Sequence, residues 1–141
     1  MQDFLPIGEA ARVSGVKVPT IRFYEEIGLL PVPPRTQGNR RLYGPDLLKR
    51  LAFIRHARDL GFAIEAIRAL LGLQDDPSQP CSPADSIARL RLAEVEGRIA
   101  RLSALKVELE RMIDGCRHGT VAECRVIEVL ADHARCGHRE H

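Results

Sequence analysis

The sequence predicts a mostly α-helical chain: a winged helix-turn-helix, then one long helix of coiled-coil type, then a short cysteine-bearing loop. Three observations predict it. Two short helical stretches meet at Gly15 and are followed by a proline-rich break and an arginine-rich turn. Residues 82–114 carry Leu92, Val95, Ile99, Leu102, Leu109 and Ile113 at steps of three and four, except where Lys106 takes one seam position. Cys116 and Cys124 then bracket a polar loop that contains Gly119.

Composition sets the class. Hydrophobic residues at 45% and charged residues at 28% of 141 are ordinary for a soluble globular chain. No apolar run approaches the ~18 residues of a membrane span, and residues 1–6 lack the pattern of a signal peptide, so a cytoplasmic location is expected. Thiols stay reduced in that compartment. Cys81, Cys116, Cys124 and Cys136 therefore read as metal ligands or redox sensors rather than as a disulfide framework. Residues 1–60 hold ten Lys and Arg against six Asp and Glu, while the remainder holds eleven against thirteen. The basic half is the one to test for nucleic acid.

The first helix, over residues 7–14, offers Ile7, Ala10, Ala11 and Val13 to a core and stops at Gly15, which can take a positive φ. Pro19 suits the first turn of a second helix over residues 19–27, closed by Gly28. The second helix of such a pair can enter a major groove. Thr20, Arg22 and Tyr24 carry donors able to reach base edges or phosphates, while Ile21 and Phe23 are expected to face inward.

Pro31, Pro33 and Pro34 forbid a helix, and Gly38 with Asn39 marks a hairpin turn. Arg35, Arg40, Arg41 and Tyr43 would make that hairpin a basic wing contacting phosphates, against the plainer reading of a solvated arginine loop. Pro45 opens a third helix to about residue 60, with Leu47, Leu48, Leu51, Ile54 and Ala57 at helical spacing. Residues 64–71 form a fourth, stopped by Gly72. The charged outer face of the third helix, with Lys49, Arg50, Arg55 and Arg58, touches phosphates or is simply solvated; His56 reads as structural.

Residues 75–80 are a polar break before the long helix, which at ~1.5 Å per residue would extend ~50 Å. One helix cannot bury its own seam, and its flanks are charged, so the same helix of a second chain is the expected partner. This divides the chain into a DNA-binding domain at 1–75, a linker and dimerisation helix at 76–115, and a loop, short helix and tail at 116–141.

The succession of residues 7–11, residues 20–30 with Ile21, Arg22, Phe23, Tyr24 and Glu25, the wing from 35 to 43, residues 55–62 and then one long helix resembles the MerR family of bacterial transcriptional regulators. The resemblance spans nearly the whole chain. It implies a homodimer joined by antiparallel long helices that binds a pseudo-palindromic promoter. There it distorts an overlong spacer for RNA polymerase when an inducer binds. It also implies DNA contacts from Arg22, Tyr24, Arg35, Arg41 and Tyr43. One departure is present: the family's wing commonly runs Asn-Gly-Tyr-Arg, and here Gly38, Asn39, Arg40 and Arg41 stand in its place, so an arginine replaces the tyrosine.

The segment beyond the long helix is too short to enclose an organic ligand and long enough to wrap an ion. Cys116 and Cys124, bracketing a glycine-containing loop, can bring two thiolates to one cation, an arrangement that looks like the family's metal-responsive branch. Within one chain Cys81 would lie ~50 Å away along the helix, whereas an antiparallel pair would set it beside the other subunit's loop. Three thiolates suit a divalent zinc, cadmium, lead or mercury inducer, and two in line suit monovalent copper. The copper-sensing branch carries a serine where this chain has Cys81, which points to the divalent group. His118 would add a nitrogen ligand or be solvated, and the tail residues His133, Cys136, His138 and His141 are expected outside the primary site.

Two rivals stand beside this. A thiol redox switch would use Cys116 and Cys124, and a metal buffer would need no DNA half. No Ser/His/Asp set, phosphate-cradling glycine loop or His-Glu-x-x-His helix is present, so an enzyme is not expected.

Overall fold

The computed structural model describes residues 4–116 and 119–132. Its helices are α1 (Ile7–Ser14), α2 (Val18–Glu26), α3 (Pro45–Asp59), α4 (Ile64–Gln74), α5 (Ser82–Asp114) and α6 (Arg125–Ala131), with a 3-10 turn at Val121–Glu123. The chain divides into two units, Met1–Ile87 and Ala88–His141, with the boundary inside α5. No helix among the described residues is long and apolar enough to cross a membrane.

In the first unit, α1 ends where Gly15 turns left-handed at φ 73° and its amide returns to the Ala11 carbonyl. A side chain is excluded there twice over. The φ disfavours one, and a Cβ would lie 1.6 Å from Nη1 of Arg55, which donates to the Ser14 carbonyl at 3.0 Å. An arginine of α3 thus seals the helix-turn-helix corner. Pro19 opens α2, and past its end the amides of Leu29 and Leu30 both return to the Tyr24 carbonyl, which reverses the chain. Arg68 of α4 caps that reversal by donating to the Ile27 carbonyl at 2.9 Å.

Ala10, Ile21, Leu30, Leu51, Ile54 and Ile67 have no solvent exposure, so α1, α2, α3 and α4 close on one core. Each large aliphatic there stabilises the fold by roughly 1.5–3 kcal/mol through burial. Two expectations fail locally. Val13 is exposed, and Gly72 does not stop α4, which runs on to Gln74. Without a positive φ at Gly72, and with Leu71 buried and Leu73 half-buried beside it, continuing the helix outweighs the glycine's modest penalty.

The wing is a minimal hairpin. Bridges pair Arg35 with Arg41 and Leu5 with Tyr43, and the turn closes through the Thr36 amide to the Arg40 carbonyl at 2.8 Å. Its left-handed residue is Asn39, at φ 64°, rather than Gly38.

In the second unit the seam residues Leu92, Ile99, Leu102, Leu109 and Ile113 are each more than half exposed. The chain itself does not cover them. Among the described residues of this unit, burial is confined to the end of α5, where Glu108 and Met112 are covered, and to Val129 of α6.

Candidate functional site

Two clefts flank α2. On one side Arg22 of the helix meets Arg35, Asn39, Arg40 and Arg41 of the wing, with Pro6 and Ile7 at the start of α1 completing the wall. The wing holds Arg35 in place, because its Nη1 donates to the Asn39 carbonyl at 3.1 Å. Four guanidinium groups around one opening have the chemistry to receive phosphate oxygens, since arginine presents several donors in a rigid plane. On the other side Lys17, Thr20 and Tyr24 face Arg55, Arg58 and Asp59 of α3. Here much of the cationic capacity is already engaged: Arg55 holds the Ser14 carbonyl and Arg58 the Phe62 carbonyl at 2.8 Å.

Between α2 and the wing lies Glu25, which the sequence places in the family run of residues 21–25 without giving it a role. Glu25 is buried with its side chain 4% exposed; the Tyr43 hydroxyl donates to one carboxylate oxygen, and Arg41 Nε stands 3.0 Å from the other. Tyr43 itself has no exposure. Its expected DNA contact is therefore corrected: a hydroxyl enclosed by the core and spent on Glu25 cannot reach a phosphate. Burial above all, then the bond to Glu25 and its negative charge, push the Tyr43 hydroxyl far above its ordinary pKa. The signal for Glu25 was available, since it shares with Ile21 and Tyr24 the inward stripe of α2, where an acid must find partners.

Phe23 and Tyr24 exchange their expected faces. Phe23 is 47% exposed and Tyr24 is buried, its side chain reaching the wall of the second cleft. Thr20, Arg22, Tyr24, Arg35, Arg40 and Arg41 thus line the two clefts, with Arg41 also tied to Glu25.

The second unit brings Cys116 and Cys124 together, their thiols within hydrogen-bonding reach and both half-buried. The Ile127 amide in the first turn of α6 is the largest influence holding the Cys124 thiol below the ordinary thiol range. Burial opposes it, and the Val126 amide and the Cys116 thiol add to it. Cys81 is exposed at the start of α5, beside a cavity lined by Phe53, Leu70, Leu73 and Ala84. Among the described residues no three His, Cys, Asp or Glu side chains gather as a metal site. Two adjoining thiols fit a soft cation but give a divalent one an incomplete shell. His118, His133, Cys136, His138 and His141 lie outside the described residues.

Comparison with known proteins agrees with this arrangement. Residues 5–73 match the family model described as MerR HTH family regulatory protein, and residues 48–112 match that described as MerR, DNA binding. The chain is 43% identical over 128 residues to the HTH-type transcriptional regulator ZntR of Escherichia coli strain K12, covering 88% of this chain and 90% of that protein. Among solved structures it resembles the transcription regulator PbrR691 from Ralstonia metallidurans CH34 in complex with lead(II), at TM-score 0.77 and 37% identity over 89% of this chain and 98% of that one. It also resembles the dual function regulator MerR from Bacillus megaterium MB1 in complex with mercury(II), at TM-score 0.69 and 28% identity over 90% and 99% of the two chains.

Proposed function

The chain belongs to the MerR family of helix-turn-helix transcriptional regulators, and on that premise we propose that it activates a metal-resistance or efflux promoter in response to a divalent soft ion, zinc, cadmium, lead or mercury. The observation that carries this reading is the adjoining pair Cys116 and Cys124, two thiols that one chain leaves without a third ligand among the described residues. Cys81 of a second copy would supply it. The exposed seam of α5 supports a homodimer, because an apolar stripe of that length in water is costly until a like stripe covers it.

In this reading Arg22, Arg35, Arg40, Arg41, Thr20 and Tyr24 bind promoter DNA in two half-sites, one per subunit, and Glu25 and Tyr43 keep the wing at a fixed angle to α2. Cys116 and Cys124 hold the inducer together with the other subunit's Cys81, and His118 is a possible nitrogen donor. The bound ion supplies a cross-link between subunits. That link biases the relative setting of the two DNA-binding units and so the promoter spacer presented to RNA polymerase. Thiolate-rich binding of ~10 kcal/mol or more leaves ample room for a coupling of ~1–3 kcal/mol.

Metal titration of the reduced protein tests the reading. Three thiolates per bound zinc or cadmium ion, with transcription from its own promoter rising in step, is the expected result. Induction by peroxide without metal would transfer the role to a Cys116–Cys124 disulfide, a rival that the contact between the two thiols also permits.

A further inference from the structure

We propose that Phe23 reads a thymine methyl group in the operator, from the ridge of α2 that lies between the two basic clefts. The inference rests on the protein's being a DNA-binding regulator and adds to it a base-specific contact made without charge.

At about 100° per residue, the buried residues Ile21, Tyr24 and Glu25 fix the inward face of α2. Pro19 and Phe23, four apart, then occupy the opposite ridge. Arg22 stands on one flank, in the cleft with Arg35, Arg40 and Arg41, and Thr20 stands on the other, in the cleft with Lys17, Arg55 and Arg58. A helix about 10 Å across fills a major groove about 12 Å wide, so cationic flanks meet the two phosphate rims and the ridge between them meets the floor.

That ridge is apolar at Pro19 and Phe23 and ends in the exposed carboxylate of Glu26 at the last residue of α2. Pro19 offers no side-chain donor, and Phe23 is left 47% exposed, with its ring set against Tyr24 at 6.1 Å between centroids and tilted by 49°. Of the four bases, thymine alone presents a methyl group in the major groove, whereas the others present donors and acceptors that a phenyl ring would strip of water without replacing their bonds. A half-exposed aromatic at the centre of the reading face therefore favours thymine, while Thr20 and Arg22 supply the polar contacts on either side.

The test uses the full-length protein and a duplex that it selects from a random-sequence pool. Each thymine of that duplex is replaced in turn by deoxyuridine, which removes only the methyl group, and affinities are measured for the unsubstituted protein, Phe23→Ala and Phe23→Leu. The expected result is one thymine per half-site whose methyl is worth about four-fold in affinity to the unsubstituted protein, as for one buried apolar carbon, and nothing to Phe23→Ala, with Phe23→Leu between them. Uniform indifference of the unsubstituted protein to deoxyuridine, or equal sensitivity in Phe23→Ala, overturns the proposal while leaving DNA binding in place. Recovery of no duplex at all would overturn the DNA-binding reading and this one with it.

Discussion

The hydroxyl of Tyr43, at the foot of the wing, donates to the carboxylate of Glu25 on the inward face of α2. Both side chains are buried, and Arg41 engages the other carboxylate oxygen at 3.0 Å. The wing, proposed to grip the phosphate backbone, is thereby fixed in angle to α2, proposed to enter the groove.

Tyr43→Phe removes one of the two partners of a buried carboxylate while preserving the shape of the ring. A buried charge that loses a donor costs about 1–3 kcal/mol, so the urea midpoint of unfolding falls accordingly. An unchanged midpoint would show that the bond contributes nothing to holding the wing.

The same bond gives the fold an alkaline limit. Folded Tyr43 keeps its proton at pH values where the unfolded chain releases it, because burial and Glu25 raise its pKa. The folded state then binds more protons than the unfolded one above pH ~10, so this contribution is complete below ~10 and is lost as pH climbs beyond it. Melting temperature recorded from pH 8 upward should fall above ~10, and less steeply in Tyr43→Phe.

Gly15→Ala puts a Cβ at φ 73°, 1.6 Å from Arg55 Nη1. The left-handed backbone alone costs about 1–2 kcal/mol, and displacing the guanidinium from the Ser14 carbonyl adds to it. Thermal melts should show that loss. Combined with Arg55→Ala it should be smaller than the sum of the two single losses, since one substitution relieves the clash made by the other.

Arg40 is exposed on the wing and lines the cleft with Arg22 and Arg35. If it neutralises a phosphate, Arg40→Tyr lowers the slope of log affinity against log salt by about 0.9. Operator affinities measured over a salt series decide this, and an unaltered slope would assign Arg40 to solvent.

Cys81→Ser separates the shared-ligand reading from its rivals. Response to zinc and cadmium should fall by an order of magnitude or more, as a thiolate is exchanged for a poor hydroxyl ligand, with operator affinity of the metal-free protein unchanged. Retained induction by divalent ions would place the third ligand elsewhere, His118 being the first alternative.

Much of this molecule is written locally. The bounds of α1, α2, α3 and α5 follow from apolar spacing together with Gly15, Pro19, Gly28, Pro45 and Gly61, each of which acts within a turn of its own position. The family follows from the same short range, because residues 21–25 and the wing carry their signature in consecutive positions. Gly72 shows the limit: its helix-breaking tendency is about 1 kcal/mol, and neighbours in the core outweigh it.

What only tertiary structure decided is which way particular side chains point, and with what. Phe23 and Tyr24 are adjacent aromatics whose faces side-chain chemistry alone assigns, the apolar ring inward and the hydroxyl outward; the position of the core puts them the other way round. Tyr43 reads as a phosphate contact of the wing until Glu25, 18 positions earlier, is seen to take its hydroxyl. Cys116 and Cys124 are merely two cysteines bracketing a glycine-containing loop until α6 folds back and aims the Ile127 amide at a sulfur. Helices are set by hydrogen bonds between near neighbours, which the sequence determines by itself. A site is set by the mutual approach of distant residues, and that is fixed only when the whole core has closed.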